Sequence, residues 1–236
     1  MTPLARSLAL ALAVFLVRGT EASGQPVPRA AGSPASLVPS GFVVTGEIRG
    51  DLNRDGEEDR VLIVKGTRKE YFFMHDQRGL LDRNRRGIII ALGNRGGHEV
   101  VLSNLDCFSS ENEDGGVYFA PEPSVEIRRG SLVVHYAHGR YGYWACTFRY
   151  QGGDFELIGF DRSENRGPVT ERSVSMNFMT RRIRIRQQVD TDADGTRGER
   201  FRETWQSFAL PERILLRAIR DFEAFDIDRL LAPARR

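Results

Sequence analysis

The chain has 236 residues, 40% of them hydrophobic, enough to bury one substantial core and too few for two large domains. Its 34 basic and 32 acidic residues nearly cancel to a formal charge of +2, a balance that predicts neither a nucleic-acid binder nor a polyanion sink. Lys65 and Lys69 are the only lysines, and arginine bias this uniform along a chain reads as codon composition rather than as designed anion recognition.

Arg6 is a positive n-region, and Ser7 to Val17 (SLALALAVFLV) is an apolar run too short to span a bilayer of ~30 Å. Thr20 and Ala22 are small residues at the −3 and −1 positions of a cleavage after Ala22, so residues 1–22 are expected to be a secretory signal peptide. No cysteine follows the apolar run, which argues against a lipid anchor. No later stretch is long and apolar enough to cross a membrane. Residues 23–40, rich in Pro, Ala, Gly and Ser, are expected to be a flexible leader, and 41–236 a single domain.

From Gly41 onward, short runs of β-branched and aromatic residues alternate with turn residues. Strands are predicted at Phe42–Ile48, Arg60–Val64, Gly87–Leu92, Glu99–Ser103, Ser124–Arg128 and Ser131–Tyr136. Five more follow at Tyr143–Tyr150, Asp154–Asp161, Arg172–Asn177, Arg181–Gln188 and Glu199–Gln206. Tight hairpins are predicted at Arg129-Gly130 and Gly152-Gly153, where glycine supplies positive φ. In a third hairpin Arg182, Arg184 and Arg186 alternate with Ile183 and Ile185, giving one charged and one buried face. Sequential hairpins imply a mainly β fold, one antiparallel β-rich domain. Only the tail reads as helical: Pro211, then Ile214, Leu215, Ala218 and Ile219 at helical spacing, with a shorter helix or turn over Phe222 to Leu231.

The most specific chemical signal is Asp51-Leu-Asn53-Arg-Asp55-Gly56-Glu57-Glu-Asp59, a D-x-N-x-D-G-x-x-D loop. Calcium takes six to eight hard oxygen ligands, and alternating Asp and Asn in a tight loop aims several at one point. Asp51, Asn53, Asp55 and Asp59 would contribute side chains and Glu57 its carbonyl oxygen, with Gly56 permitting the turn. The twelfth position of an EF-hand would be Leu62, so the expected site is a loop between strands. The alternative is a solvated polar turn. Asp190, Asp192 and Asp194 form a weaker candidate, with Glu199 and Glu203 at unsuitable offsets.

Cys107 and Cys146 could form a disulfide in an oxidising compartment, or remain two buried thiols; spacing does not decide between these. His135 and His138, three apart on a strand, face opposite sides and make a poor metal pair. Arg140, Tyr141, Tyr143 and Trp144 cluster aromatic rings with a guanidinium between glycines, the composition of a sugar or peptide platform. Glu111, Glu113 and Asp114, before Gly115-Gly116, are paired carboxylates of the kind used in glycan hydrolysis, but any long β protein shows such pairs, and the default is a loop kept soluble by charge. There is no G-x-S-x-G, phosphate loop or dinucleotide fingerprint.

The acidic loop resembles those of FG-GAP and VCBS-type β-repeats. Together with Cys107–Val117, Ser124–Ile127, His135–Trp144, Thr147–Tyr150, Phe155–Phe160 and Ser175–Thr180, it is similar to a family of uncharacterised exported proteins and lipoproteins of Bacteroidetes and related Gram-negative bacteria, many with a GDLN-x-DG loop. The resemblance covers Gly41 to Leu231 and implies a periplasmic or extracellular location and a compact β-rich fold. It supplies no activity. The expectation is a non-enzymatic, calcium-binding envelope module whose ligand is a glycan or protein. An envelope hydrolase and a purely structural protein without metal are the alternatives.

Overall fold

The computed structural model describes residues 33–112, 123–189 and 200–227. Thirteen strands follow one another in these segments. They are β1 (Phe42–Gly50), β2 (Asp59–Gly66), β3 (Phe72–His75), β4 (Gly79–Asp82), β5 (Arg86–Asn94), β6 (Gly97–Phe108) and β7 (Pro123–Arg128). Then come β8 (Ser131–Ala137), β9 (Gly142–Gln151), β10 (Asp154–Arg166), β11 (Val169–Asn177), β12 (Arg182–Gln188) and β13 (Phe201–Ser207). The mainly β, antiparallel, hairpin-built architecture is as the sequence predicts. The short hairpin β3–β4 is an addition: its Phe72, Met74 and Leu80 are exposed, so no buried alternation marks it.

A four-stranded sheet runs in the order β1-β2-β5-β6, and a seven-stranded meander in the order β13-β12-β11-β10-β9-β8-β7. The two pack face to face around one core. Val61, Ile88, Ile90 and Leu102 from the small sheet meet Leu132, Val134, Cys146, Phe148, Val174 and Met176 from the large one. The strand pleat sends alternate side chains to opposite faces, so the inner positions of both sheets carry this apolar set. β5 is buried along nearly its whole length. Its second face, with Leu62, Val64, Ile89 and Ala91, is covered by Leu37 and Val38. The segment from Pro34 to Leu37 is a 3₁₀ turn, so the fold begins within the stretch that composition assigns to a leader.

The tail corrects the helical expectation. A single 3₁₀ turn at Leu216–Ala218 takes the place of a helix, and the predicted end at Leu231 lies outside the described residues. Backbone pairing explains this: Ile214 O accepts from Leu157 N at 2.8 Å, and Leu215 bridges Glu156, which holds the segment extended against β10. Asn104 then donates through Nδ2 to Leu216 O (2.9 Å) and Ile219 O (2.8 Å). Phe222 N donates to Cys107 O at 3.0 Å, and its ring stacks on Phe108 and Trp144 with centroids at 5.3 and 5.9 Å. The apolar residues read as a helical stripe thus plug the sandwich interior, and tertiary burial overrides local propensity.

Cys107 and Cys146 are separate thiols, both fully buried, which corrects the disulfide alternative. One ends β6 of the small sheet and the other lies mid-β9 of the large sheet; each fills core volume. Burial pushes both thiol pKa values well up, so neither is a ready nucleophile. A thiol reagent should therefore label neither cysteine in the native protein and both after denaturation without reductant. Absence of labelling in denaturant would show that the two are bonded.

Candidate functional site

The loop Asp51–Asp59 joins β1 to β2 and is knit by its own backbone. Asp51 accepts from Arg54 N (2.5 Å) through Oδ1 and from Gly56 N (3.1 Å) through Oδ2. Asn53 Oδ1 accepts from Asp55 N (3.1 Å), and Asp55 Oδ1 from Glu57 N (2.9 Å). Asn53 Nδ2 also donates to Asp55 Oδ2 at 2.7 Å. Arg54 and Gly56 adopt left-handed φ of 65° and 86°, which lets nine residues reverse the chain this tightly. Asp59 is wholly buried and accepts from Leu52 N (2.6 Å) and Gly93 N (2.8 Å). Burial raises its pKa, and these N–H bonds oppose the rise. Gly93 is needed for this approach: a Cβ there would lie 2.3 Å from Glu58 O.

Among the described residues, no group of three or more His, Cys, Asp or Glu side chains converges as a metal cage. A carboxylate oxygen carries two lone-pair sites, so the half-buried Asp51 and the exposed Asp55 keep acceptor capacity beyond their N–H bonds. Asp59 is committed inward, and Glu57 is exposed. Asp190, Asp192, Asp194, Glu113 and Asp114 lie outside the described residues.

The aromatic cluster divides. Arg140 and Tyr141 sit on the 3₁₀ turn before β9, with Arg140 Nη2 donating to Tyr141 Oη at 3.0 Å. Tyr143 points to the outer face of the large sheet, its ring 5.1 Å from that of His135. Trp144 turns inward and stacks on Tyr136 at 4.2 Å. The pleat that separates residues 143 and 144 prevents one shared platform.

Arg54 links the acidic loop to the outer face. Its Nη2 donates to Arg129 O at 2.9 Å, and its side chain passes over Gly130, where a Cβ would come within 2.7 Å of Nε. It thereby walls a hollow of about 570 Å³. The floor is short: Ser131 and Val133 of β8, Ala145 and Thr147 of β9 and Asp161 of β10. Around it rise Arg54, Arg128, Arg129 and Arg149 at one end and His135 and Tyr143 at the other. Arg128 pairs with Glu126. Arg54, Arg129 and Arg149 have no carboxylate partner among the described residues, whereas Arg60, Arg85, Arg172 and Arg217 are ion-paired. Among the described residues, the face therefore offers guanidinium donors without ion-pair partners beside carboxylate and hydroxyl acceptors.

No family model, curated protein or solved structure matches this chain. Of the residues expected to bind ligand, the hollow uses Tyr143 alone; Arg54, Arg128, Arg149 and Asp161 belong to no motif that marks them in the sequence. They become neighbours only through the register of four strands and one loop.

Asp59→Asn should cost about 1–3 kcal/mol, because an amide leaves Leu52 N or Gly93 N facing a donor. Asp55→Asn, at an exposed position, should change stability by less than about 0.5 kcal/mol. Denaturant unfolding of both variants without divalent cations measures the difference. Equal stabilities would show that Asp59 does not moor the loop.

Proposed function

We propose that this chain is an exported, non-enzymatic binding module whose anionic ligand lies on the outer face of the seven-stranded sheet. The carrying observation is that Arg54, Arg129 and Arg149, none of them ion-paired among the described residues, gather over a floor of short side chains. Arginine's planar fork matches carboxylate and other oxyanions bidentately, and such charge-assisted bonds are the stronger kind. Export to the periplasm or beyond is supported by the N-terminal charge, apolar run and small-residue pattern, and by the resemblance to exported proteins with a GDLN-x-DG loop.

The same reading assigns calcium to the acidic loop. The D-x-N-x-D-G-x-x-D spacing, the left-handed Gly56 and the acceptor capacity of Asp51 and Asp55 support it. Asp51, Asn53 and Asp55 would hold the ion with the Glu57 carbonyl. Calcium would also restrain the loop that carries Arg54, joining metal binding to the ligand face.

Two measurements test these assignments. At about 10 mM calcium, a site with Kd of roughly 10⁻⁴–10⁻³ M stabilises the fold by ~1.4–2.7 kcal/mol. That is a melting shift of very roughly 3–11 °C for a domain near this size. The shift should be absent with magnesium and in Asp55→Ala; no shift with calcium would leave a self-contained turn. Separately, the protein should bind polygalacturonate or heparin and not dextran, and Arg149→Gln should weaken binding by about tenfold, the equivalent of ~1.4 kcal/mol. Equal retention on dextran, or on no polymer at all, would overturn the anionic-ligand reading.

A further inference from the structure

The outer face of the large sheet carries a second cluster of arginines, on the other side of β10. Arg182, Arg184 and Arg186 of β12 stand beside Trp205 and Phe201 of β13. The Arg182 guanidinium lies 5.0 Å from the centroid of Trp205, which is 53% exposed, and that of Arg186 lies 4.4 Å from Phe201. None of the three is ion-paired among the described residues; Glu203, directly across from Arg186, accepts instead from Trp205 Nε1 at 2.9 Å. A hollow of about 590 Å³ is lined here by Ser175, Asn177, Thr180, Arg182, Arg184 and Trp205.

Strand register joins this hollow to the first. Asp161, on the floor of one, is the direct cross-strand partner of Ser175, on the floor of the other. In the adjacent row Thr147 pairs with Gly159 and Gly159 with Asn177, so a glycine separates the two hollows there, beside the bulge at Ile158. Three strand spacings separate Arg149 on β9 from β12, roughly 14 Å at about 4.8 Å each, and five separate β7 from β12, roughly 24 Å. A small anion cannot touch both arginine clusters across either distance.

We infer that the two hollows form one track across the sheet that binds a uronate-bearing polysaccharide chain, an inference that rests on the anionic-ligand reading above. The arginine clusters take carboxylates at the two ends of the bound stretch. Between them the floor offers Asp161, Ser175, Asn177 and Thr147, acceptors and donors suited to a chain that carries hydroxyl groups along its length. Tyr143 and Trp205, the exposed rings, lie toward opposite ends and supply faces for sugar stacking. Single-stranded nucleic acid fits less well, because successive bases need aromatic platforms along the path and this floor has none. A densely sulfated chain would bring more negative charge against Asp161.

Gly159 offers a test that spares the core. Its φ lies outside the left-handed region, and a Cβ would meet Thr147 Cβ and Oγ1 at 3.5 and 3.6 Å and Met176 O at 3.8 Å, all ordinary contacts. Gly159→Leu therefore raises a wall in mid-track. Binding of oligogalacturonates from disaccharide to octasaccharide should be measured by calorimetry for wild type, Gly159→Leu, Arg184→Ser and Arg149→Gln. Wild-type affinity should rise at least tenfold between disaccharide and octasaccharide. Gly159→Leu and Arg184→Ser should abolish most of that gain while leaving disaccharide affinity within about twofold, with melting temperatures near wild type. If chain length and Arg184→Ser have no effect while Arg149→Gln still weakens binding, the track fails and the anionic hollow stands. Failure of every anionic probe would remove both. Tighter binding of oligodeoxythymidylate or heparin fragments than of uronate chains of equal length would overturn the ligand class.

Discussion

The period-two pleat of the seven-stranded sheet is the constraint on which the rest of this protein depends. One set of alternate positions supplies Leu132, Val134, Cys146, Phe148, Val174, Met176 and Ile183 to a shared core. The intervening set supplies Val133, Ala145, Thr147, Gly159, Asp161 and Ser175 to the opposite face. Because this second set is short in the middle of the sheet and long at its flanks, a flat antiparallel surface becomes a shallow track between arginines. A one-residue slip in any strand would exchange the two faces, so stability of the core and shape of the ligand face are set by the same register.

Two attachments outside the sheet hold that arrangement. Asn104 and the Phe222 ring fasten the tail between the sheets, closing an interior that the strands leave open. Asp59 fastens the acidic loop by taking N–H groups from both the loop and the β5–β6 hairpin. A loop so moored can project Arg54 toward the β7–β8 turn, and Gly130 leaves room for it to pass. The formal charge of +2 conceals this segregation. Arg60, Arg85, Arg172 and Arg217 are neutralised by nearby carboxylates, whereas among the described residues Arg54, Arg129, Arg149, Arg182 and Arg184 are not.

Much of the architecture is legible without coordinates. β-Branched runs ending at Gly, Asn or Asp mark the strands, and Arg182, Arg184 and Arg186 alternating with Ile183 and Ile185 already indicate a charged outer face. The tail misleads, because Ile214, Leu215, Ala218 and Ile219 fit a helical stripe equally well as anchors of an extended plug, and only the available partner on β10 decides between them. The cysteine pair misleads for a related reason: parity of thiols carries no information about which sheet each belongs to. Tyr143 and Trp144 are adjacent in the chain and on opposite faces in space.

By itself, then, the amino-acid sequence determines the strands of the two large sheets, most of their antiparallel hairpins and the composition of the acidic loop, since each depends on residues close together in the chain; the exposed β3–β4 hairpin escapes it. The pairing of two sheets into a sandwich, the extended tail, the unbonded cysteines and the arginine-flanked track are decided only by tertiary structure. Each requires residues tens of positions apart to be brought into register, and that register is chosen by burial of the shared core rather than by any local preference.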